Sequence, residues 1–433
     1  MIKDMEPLAR SIADKKQDMA SSSEGTILYI LTRFPVTTET FILNELREMR
    51  RQGIKYHLFA FRLDREMAAE PPYSEVTARE IPRPCTSAVF SANGRVWTKR
   101  YRAAYALLRT RACRRLHHFF QAVYLADWVK RHNVRHIHAH YAYHSASAAR
   151  VAASLADIGY SFTAHANDIY RSRWQMREKI ENAVFCATCT GYNAGYLREH
   201  YAQSCPDRVI KVYHGIDLKH FECRPRNRAL PEQAPFHILS VGRLREKKGF
   251  TFLIEACALL KDRGFSIKTT IVGEGPDRKA LETLIADKGL DSIVRLTGSM
   301  PHRQVRKLLE DADVFVLPCI IASDGSRDGI PNVILEAMAM RLPVVSTTVS
   351  AIPEAVEHGS TGLLVPPGDT PALAEAISRL VSAPGERVGM GDAGRRKVAK
   401  DFDLTINTEA LVSLFRNVME NRFPGHERAH DGC

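Results

Sequence analysis

Short apolar runs alternate with amphipathic stretches along most of the chain. In the first half the runs are TILYILTRFP (26–35), KYHLFAF (55–61), VRHIHAHYA (134–142), YSFTAHA (160–166), NAVFCAT (182–188) and RVIKVYHG (208–215). Each reads as a buried strand, and a helical stretch over 40–51 follows the first. The second half restarts at APFHILSVGR (234–243) and continues through FSIKTTIVGEG, SIVRLTGS, DVFVLPC, LPVVSTT and GLLVPPG. Helical periodicity fills the gaps, in GFTFLIEACALLKDRG, DRKALETLIADKG, HRQVRKLLEDA, PNVILEAMAMR, IPEAVEHG and TPALAEAISRLVSA. Strands that are apolar on both faces and separated by helices predict parallel sheets covered on both sides, an α/β class.

With 433 residues, the chain exceeds what one hydrophobic core usually serves. The pattern suggests a solvated leader over 1–25, a first domain over 26–220, a second over 221–401, and a final segment over 402–433. In the last, FDLTINTEALVSLFRNVM is expected to be a helix that returns to the first domain, followed by a polar tail. The composition is 45% hydrophobic and 25% charged, too rich in apolar residues for a disordered chain. No run approaches the ~18 apolar residues of a membrane span. Nine cysteines, an odd number, scattered over a long chain argue against a disulfide framework and for a reducing cytoplasm.

The formal net charge of +12 is concentrated. Residues 81–126 hold nine Lys and Arg and neither Asp nor Glu, interleaved with Trp97, Tyr101, Tyr105 and Phe119. A basic amphipathic helix over 95–120 would suit an anionic membrane surface, the inner face of the cell membrane; the alternative is a surface helix whose arginines pair with carboxylates. Nucleic acid is not expected as a partner, because no recognition motif accompanies the charge.

The chemistry concentrates in two strand-to-helix junctions. GRLREKKG (242–249) follows the strand FHILSV, so Arg243 and Lys248 sit where two cations can meet a diphosphate. DGIPNVILEAMA begins at Asp328 after the strand DVFVLPC and delivers a helix N-terminus, a natural phosphate site. Pro331 suits the first helical turn, and Glu336 further along can accept from a ribose diol. Asp328, still in the loop, can hold sugar hydroxyls.

GRLREKKG, VGEGP, VRLTG, the D-x7-E segment and GLLVPPGD, in this order over 236–420, resemble the retaining glycosyltransferases of family 4. The resemblance implies a GT-B fold, two Rossmann-like domains facing across a cleft, and a nucleotide-sugar donor, UDP- or GDP-linked, with no cofactor and no metal. It implies that Gly242, Arg243 and Lys248 bind the diphosphate, and that Gly329, Ile330, Pro331 and Asn332 offer backbone donors to sugar and phosphate. Glu336 would hold the ribose, and Leu296 and Thr297 would lie near the base. Asp328 stands where the family has Glu, one methylene longer. The opening TRFPVTTETFILNEL is similar to an exopolysaccharide subgroup of the colanic-acid type, placing Thr38, Glu39 and Thr40 toward the cleft. The alternative is that these threonines cap the next helix. His165, at a strand end, would approach the donor sugar, with Asp168 orienting the imidazole or capping a helix.

These implications converge on transfer of a sugar to a saccharide or lipid-linked acceptor. Rival readings are a non-hydrolysing sugar-nucleotide epimerase and an inactive nucleotide-sugar-binding subunit. Two further motifs are expected to be structural. His136, His138 and His140 alternate on one strand face about 7 Å apart, too far for a shared metal. Cys186 and Cys189 form a C-x-x-C along an apolar strand and are expected in the core.

Overall fold

The computed structural model describes residues 25–36, 39–84, 86–96, 112–171, 174–221, 234–420 and 422, those of 112–116 by backbone alone. Thr38, Trp97, Tyr101 and Tyr105, and with them most of the basic segment, lie outside the described residues, as do the proposed leader up to residue 24 and nearly all of the polar tail.

Two parallel sheets organise the chain. The first contains β1 (Thr26–Phe34), β2 (Tyr56–Leu63), β3 (Ala78–Glu80), β4 (Val134–His140), β5 (Gly159–Ala164), β6 (Cys186–Thr188) and β7 (Val209–Lys211). Its spatial order is β3-β2-β1-β4-β5-β6-β7. The second contains β8 (Phe236–Val241), β9 (Ile267–Val272), β10 (Val294–Leu296), β11 (Val314–Leu317), β12 (Val344–Thr347) and β13 (Gly362–Val365), in the order β10-β9-β8-β11-β12-β13. Each order reverses direction beside its first strand, between β1 and β4 and between β8 and β11. This is the doubly wound, Rossmann-like topology, whose ligands collect beyond the carboxyl ends at the reversal. By packing, the chain divides into two units, residues 1–163 with 177–186 and 409–433, and residues 164–176 with 187–408.

Central strands are buried on both faces, which explains their unbroken apolar character. Ile27, Leu28, Tyr29 and Ile30 of β1 are fully buried between β2 and β4. Phe315, Val316 and Leu317 of β11 are equally buried between β8 and β12. The covering helices bury single faces. In Phe250–Asp262, Phe250, Leu253, Ile254, Cys257 and Leu260 face inward, each large apolar side chain adding about 1.5–3 kcal/mol relative to exposure. Helix Leu404–Met419 sets Phe415 among Tyr29, His138 and Phe185, at ring separations of 6.0, 5.1 and 5.8 Å.

The histidine-rich strand forms a hydrogen-bonded polar seam. His136 Nε2 and His138 Nδ1 lie 2.7 and 2.8 Å from Ser161 Oγ, and His138 Nε2 lies 3.0 Å from Thr163 Oγ1. His140 Nε2 meets Glu45 Oε1 at 2.9 Å, and the same carboxylate accepts from Tyr29 Oη at 3.3 Å. Burial holds the His138 imidazole well below its usual range, so it is neutral within this network.

At the margin of the basic segment, Arg95 donates twice to Asp127 at 2.8 Å, and Phe119 is buried. These two residues follow the surface-helix alternative. Among the described residues no helix is long and apolar enough to cross a membrane.

Candidate active site

The reversal between β8 and β11 gathers the best-defined cluster. After β8 the chain passes through Gly242 and Arg243 into a short 3-10 turn, Glu246–Lys248, before helix Phe250–Asp262. Lys248 therefore precedes the helix and does not lie within its first turn. Two glycines shape this path. Gly249 has φ +69°, and a Cβ there would stand 1.9 Å from the carbonyl oxygen of Pro318, just past β11. Gly273, at φ +150°, would strike the Gly242 oxygen at 1.9 Å. VGEGP thus serves close backbone packing beside Arg243.

From the other side, the loop after β11 is pinned to this turn. Glu246 accepts from Ser323 N at 3.0 Å and from Ser323 Oγ at 2.8 Å, while Ile320 N donates to the Lys247 carbonyl at 3.0 Å. Asp328 then reaches both lysines, with Oδ1 2.7 Å from Lys247 Nζ and Oδ2 2.8 Å from Lys248 Nζ. Burial pushes the Asp328 carboxyl up, but the two ammonium groups outweigh it and hold the group down at about 2. Burial likewise pulls the Lys248 ammonium down, and the Asp328 carboxylate more than restores it. Beneath them Cys319 Sγ lies 3.9 Å from Asp328 Oδ2, its thiol pushed by burial up to about 12.

Helix Asn332–Ala339 starts four residues after Asp328, with Pro331 at its N-cap and no side-chain cap. Gly329 has its nearest neighbour at Thr190, 3.5 Å from where a Cβ would be, and Ile330 packs partly against the core. Glu336 points toward the preceding helix, His302–Asp311, where its Oε1 lies 3.6 Å from His302 Nε2. The Glu336 carboxylate raises the His302 imidazole above its usual range.

Lys248 and Asp328 are thus in direct contact, and the Lys248 stem runs over Gly242, whose Cβ would be 3.3 Å from Lys248 Cε. Arg243 is exposed beside them in sequence, and Glu336 engages His302. Leu296 and Thr297 border a 640 Å³ groove with His237, Lys268 and Leu308; Arg243, Lys248, Asp328 and Glu336 are not part of its lining.

His165 follows β5 and is buried; its ring stacks on His214 at 5.2 Å. Asp168 Oδ1 accepts from the His165 backbone N–H at 2.7 Å, the capping geometry for helix Ala166–Arg171. Tyr170 in that helix lies 4.4 Å beneath the Arg327 guanidinium, and Arg171 pairs with Asp324 at 3.4 Å. Both contacts bear on the loop that carries Asp328.

At the β1/β4 reversal, Glu39 occupies the N-cap of helix Thr40–Arg51 without a side-chain cap, and Thr40 is its first residue. Burial raises the Glu39 carboxyl, opposed by a hydrogen bond with Tyr141 and by His140. Capping therefore does not account for Glu39.

Sequence reading missed Lys247, His302, His214 and Glu354. Glu354 accepts from the backbone N–H groups of Gly191 and Tyr192 at 2.8 and 2.7 Å and from Tyr213 Oη at 2.8 Å. Of these only Lys247 carried a signal, as half of the lysine doublet in GRLREKKG. C-x-x-C also needs correction: Cys186 is in the core, but Cys189 leaves the strand, is half-buried and approaches two histidines.

Two doubly wound sheets, one with lysines and a helix N-terminus at its reversal, define an α/β protein with a GT-B-type pair of Rossmann-like domains. Sequence models described as "Glycosyltransferase Family 4" and "Glycosyl transferases group 1" match residues 38–220 and 235–383. The chain is 40% identical over 218 residues to the amylovoran biosynthesis glycosyltransferase AmsK of Erwinia amylovora, covering 50% of this chain and 53% of that protein. It is 38% identical over 225 residues to WcaL of Escherichia coli strain K12, named for colanic acid biosynthesis, covering 52% and 54%. The chain spans about half the length of these two relatives. With TuaC of Bacillus subtilis, named for teichuronic acid biosynthesis, it shares 31% identity over 295 residues, 65% of this chain and 70% of that one. A glycosyltransferase from Rickettsia africae superposes with a TM-score of 0.71 at 16% identity over 92% of this chain and 99% of that one. Anabaena Alr3699/HepE, solved with UDP, gives 0.68 at 16% identity over 90% and 100%. The chain belongs to glycosyltransferase family 4.

Proposed function

We propose that the protein is a retaining glycosyltransferase that moves a sugar from a nucleotide-sugar donor to a saccharide or lipid-linked acceptor in exopolysaccharide or cell-surface glycan synthesis. The observation that carries this reading is the pair of lysines meeting Asp328 at the β8/β11 reversal, beside the N-terminus of helix Asn332–Ala339. A diphosphate arriving there would meet Lys248, Arg243 and the first N–H groups of the helix. The names of AmsK and WcaL support the pathway class, and the UDP bound to the Anabaena protein supports a uridine donor.

In this mechanism the donor phosphate takes over Lys248 from Asp328, which frees Oδ2 to hold a sugar hydroxyl while Lys247 keeps Oδ1. Glu336 holds the ribose, and Leu296 and Thr297 border the base. His165 approaches the sugar, positioned through its backbone by Asp168. The acceptor attacks from the face that the diphosphate leaves, through a short-lived oxocarbenium ion pair, and the departing phosphate accepts the acceptor proton. Arg243 and Lys248 neutralise the leaving group, so the charge balance calls for no bound metal. Glu39 and Thr40, with Thr38 beside them in sequence, are assigned to the acceptor side. Of residues 95–120, those other than Arg95 and Phe119 are assigned to an anionic membrane surface.

The test is thermal stabilisation by UDP- and GDP-sugars followed by nucleotide release with and without a saccharide acceptor. A ligand at 100 times its Kd adds about 2.7 kcal/mol to the folded state. A shift with one donor and acceptor-dependent release are expected. Release or sugar conversion that ignores the acceptor would replace the reading with the epimerase, and binding without turnover would replace it with an inactive subunit.

A further inference from the structure

The carboxyl end of the first sheet carries a charged cluster that the mechanism above leaves unused. Arg33, near the end of β1, and Arg62, near the end of β2, are in-register partners on adjacent parallel strands. Parallel neighbours lie about 4.8 Å apart and partnered residues leave the same face, so the two cationic side chains start side by side. Like charges so placed repel each other. Both residues are exposed, and among the described residues neither guanidinium makes a hydrogen bond or an ion pair. Arginines around them are spent. Arg47 pairs with Glu75 at 2.9 Å, Arg50 donates to the Glu75 carbonyl at 2.9 Å, Arg65 pairs with Glu80 at 3.3 Å, and Arg79 lies 5.0 Å over Trp128.

The pair stands in a cavity. Arg33, Arg62, Leu63, Asp64, Arg65 and Glu66 line a volume of 480 Å³, within the ~300–1,000 Å³ of small-molecule sites. Its frame is fixed. Asp64 N donates to the Phe34 carbonyl at 2.9 Å, tying the two strand ends together, and Phe34 is buried with its ring 6.2 Å from that of Tyr73. The acidic members do not cancel the charge. Asp64 caps helix Arg65–Ala69, its Oδ1 accepting from Met67 N at 3.2 Å, which leaves Glu66 alone against Arg33 and Arg62. Guanidinium groups take phosphoryl oxygens bidentately, and two side by side suit a phosphate dianion or a diphosphate. This end of a doubly wound sheet is where ligands collect, and Glu39, assigned above to the acceptor, comes five residues past β1.

We infer that Arg33 and Arg62 form an anion subsite that grips a phosphate or diphosphate group carried by the acceptor. That the anion belongs to the acceptor rests on the transferase reading; the anion site itself does not. The donor diphosphate is assigned elsewhere, to Lys248 after β8 of the second sheet.

The test titrates the full chain with inorganic pyrophosphate by calorimetry, beside Arg33→Gln, Arg62→Gln, the double variant and Lys248→Ala. The parent is expected to show two classes of site. Each single arginine change should weaken one class by about tenfold and the double variant should abolish it, while Lys248→Ala removes the other. Because both arginines are exposed and repel each other, the double variant should keep the parent's circular dichroism and melt no lower without anion. Pyrophosphate binding that ignores the double variant would overturn the inference. A site lost in the double variant, with none lost in Lys248→Ala, would uphold it and count against the donor assignment instead. Farnesyl diphosphate and vesicles of phosphatidylglycerol then separate the sources of phosphate. Farnesyl diphosphate is expected to bind the arginine site at least as tightly as pyrophosphate does. Vesicle binding that falls in the double variant, with no binding of farnesyl diphosphate, would make the arginines a membrane contact and overturn the acceptor assignment.

Discussion

Replacing Asp328 by Asn removes one negative charge from between two lysines and leaves the side-chain volume nearly unchanged. Asp328 is 16% exposed and Lys248 only 12%, so solvent screens the contacts poorly. Holding the carboxyl at about 2 instead of its ordinary 3.8 corresponds to roughly 2–2.5 kcal/mol in favour of the folded state. Because the folded value is depressed, this stability is fully present above about pH 4 and drains away as pH falls through about 2. At neutral pH, Asp328→Asn also leaves Lys247 and Lys248 facing each other without an anion, which brings the loss to about 2–4 kcal/mol. For a unit of this size each kcal/mol moves Tm by about 2–4 °C, so a drop of ~5–15 °C is expected by scanning calorimetry at pH 7. Inorganic pyrophosphate should recover part of that drop by supplying the missing charge. The gap between parent and variant should narrow as pH is lowered below about 4. A variant that melts with its parent at pH 7, or a gap that stays constant with pH, would refute the electrostatic reasoning.

Arg243→Ala and Lys248→Ala should each slow turnover by about 10²–10³-fold, the effect of losing roughly 2–4 kcal/mol of leaving-group stabilisation; steady-state kinetics with unchanged turnover would remove them from the mechanism. The His302 imidazole should titrate above the ordinary 6.5 and move down in Glu336→Gln, as followed by NMR. The same Glu336→Gln change should raise the KM for the donor more than it lowers kcat. Phe415→Ala should cost about 3–5 kcal/mol in urea unfolding, since the ring is fully buried among Tyr29, His138 and Phe185.

Much of the architecture was legible because central parallel strands must be apolar on both faces. FHILSV and DVFVLPC announce β8 and β11, the two strands that frame the lysine cluster. NAVFCAT and RVIKVYHG were read as longer than the three-residue strands they form, because apolar runs near a sheet edge continue into packed loops where pairing has stopped. IPEAVEHG contributes only the turn Ile352–Ala355, since the backbone is extended at Val356. Within the site, Asp328 and Lys248 were legible from motif and position, and Glu39 from its lack of a capping role. Convergence between distant segments was not. Cys189 and His214 stand 25 positions apart, and each belongs to an unremarkable strand end in one dimension. Glu354 meets Gly191 across a separation of 163 residues, and local sequence pattern carries no trace of such a meeting.

The closing helix has a consequence for biosynthesis. Residues 409–433 belong to the same compact unit as residues 1–163, and Phe415 seals a core that begins at Tyr29. While the chain is being made, that core stays open until Phe415 has been added. The other unit, drawn from 164–408, has most of its partners in hand sooner. Order of synthesis and order of completion are therefore reversed. A nascent chain therefore leaves the face around Tyr29 uncovered until helix Leu404–Met419 has emerged.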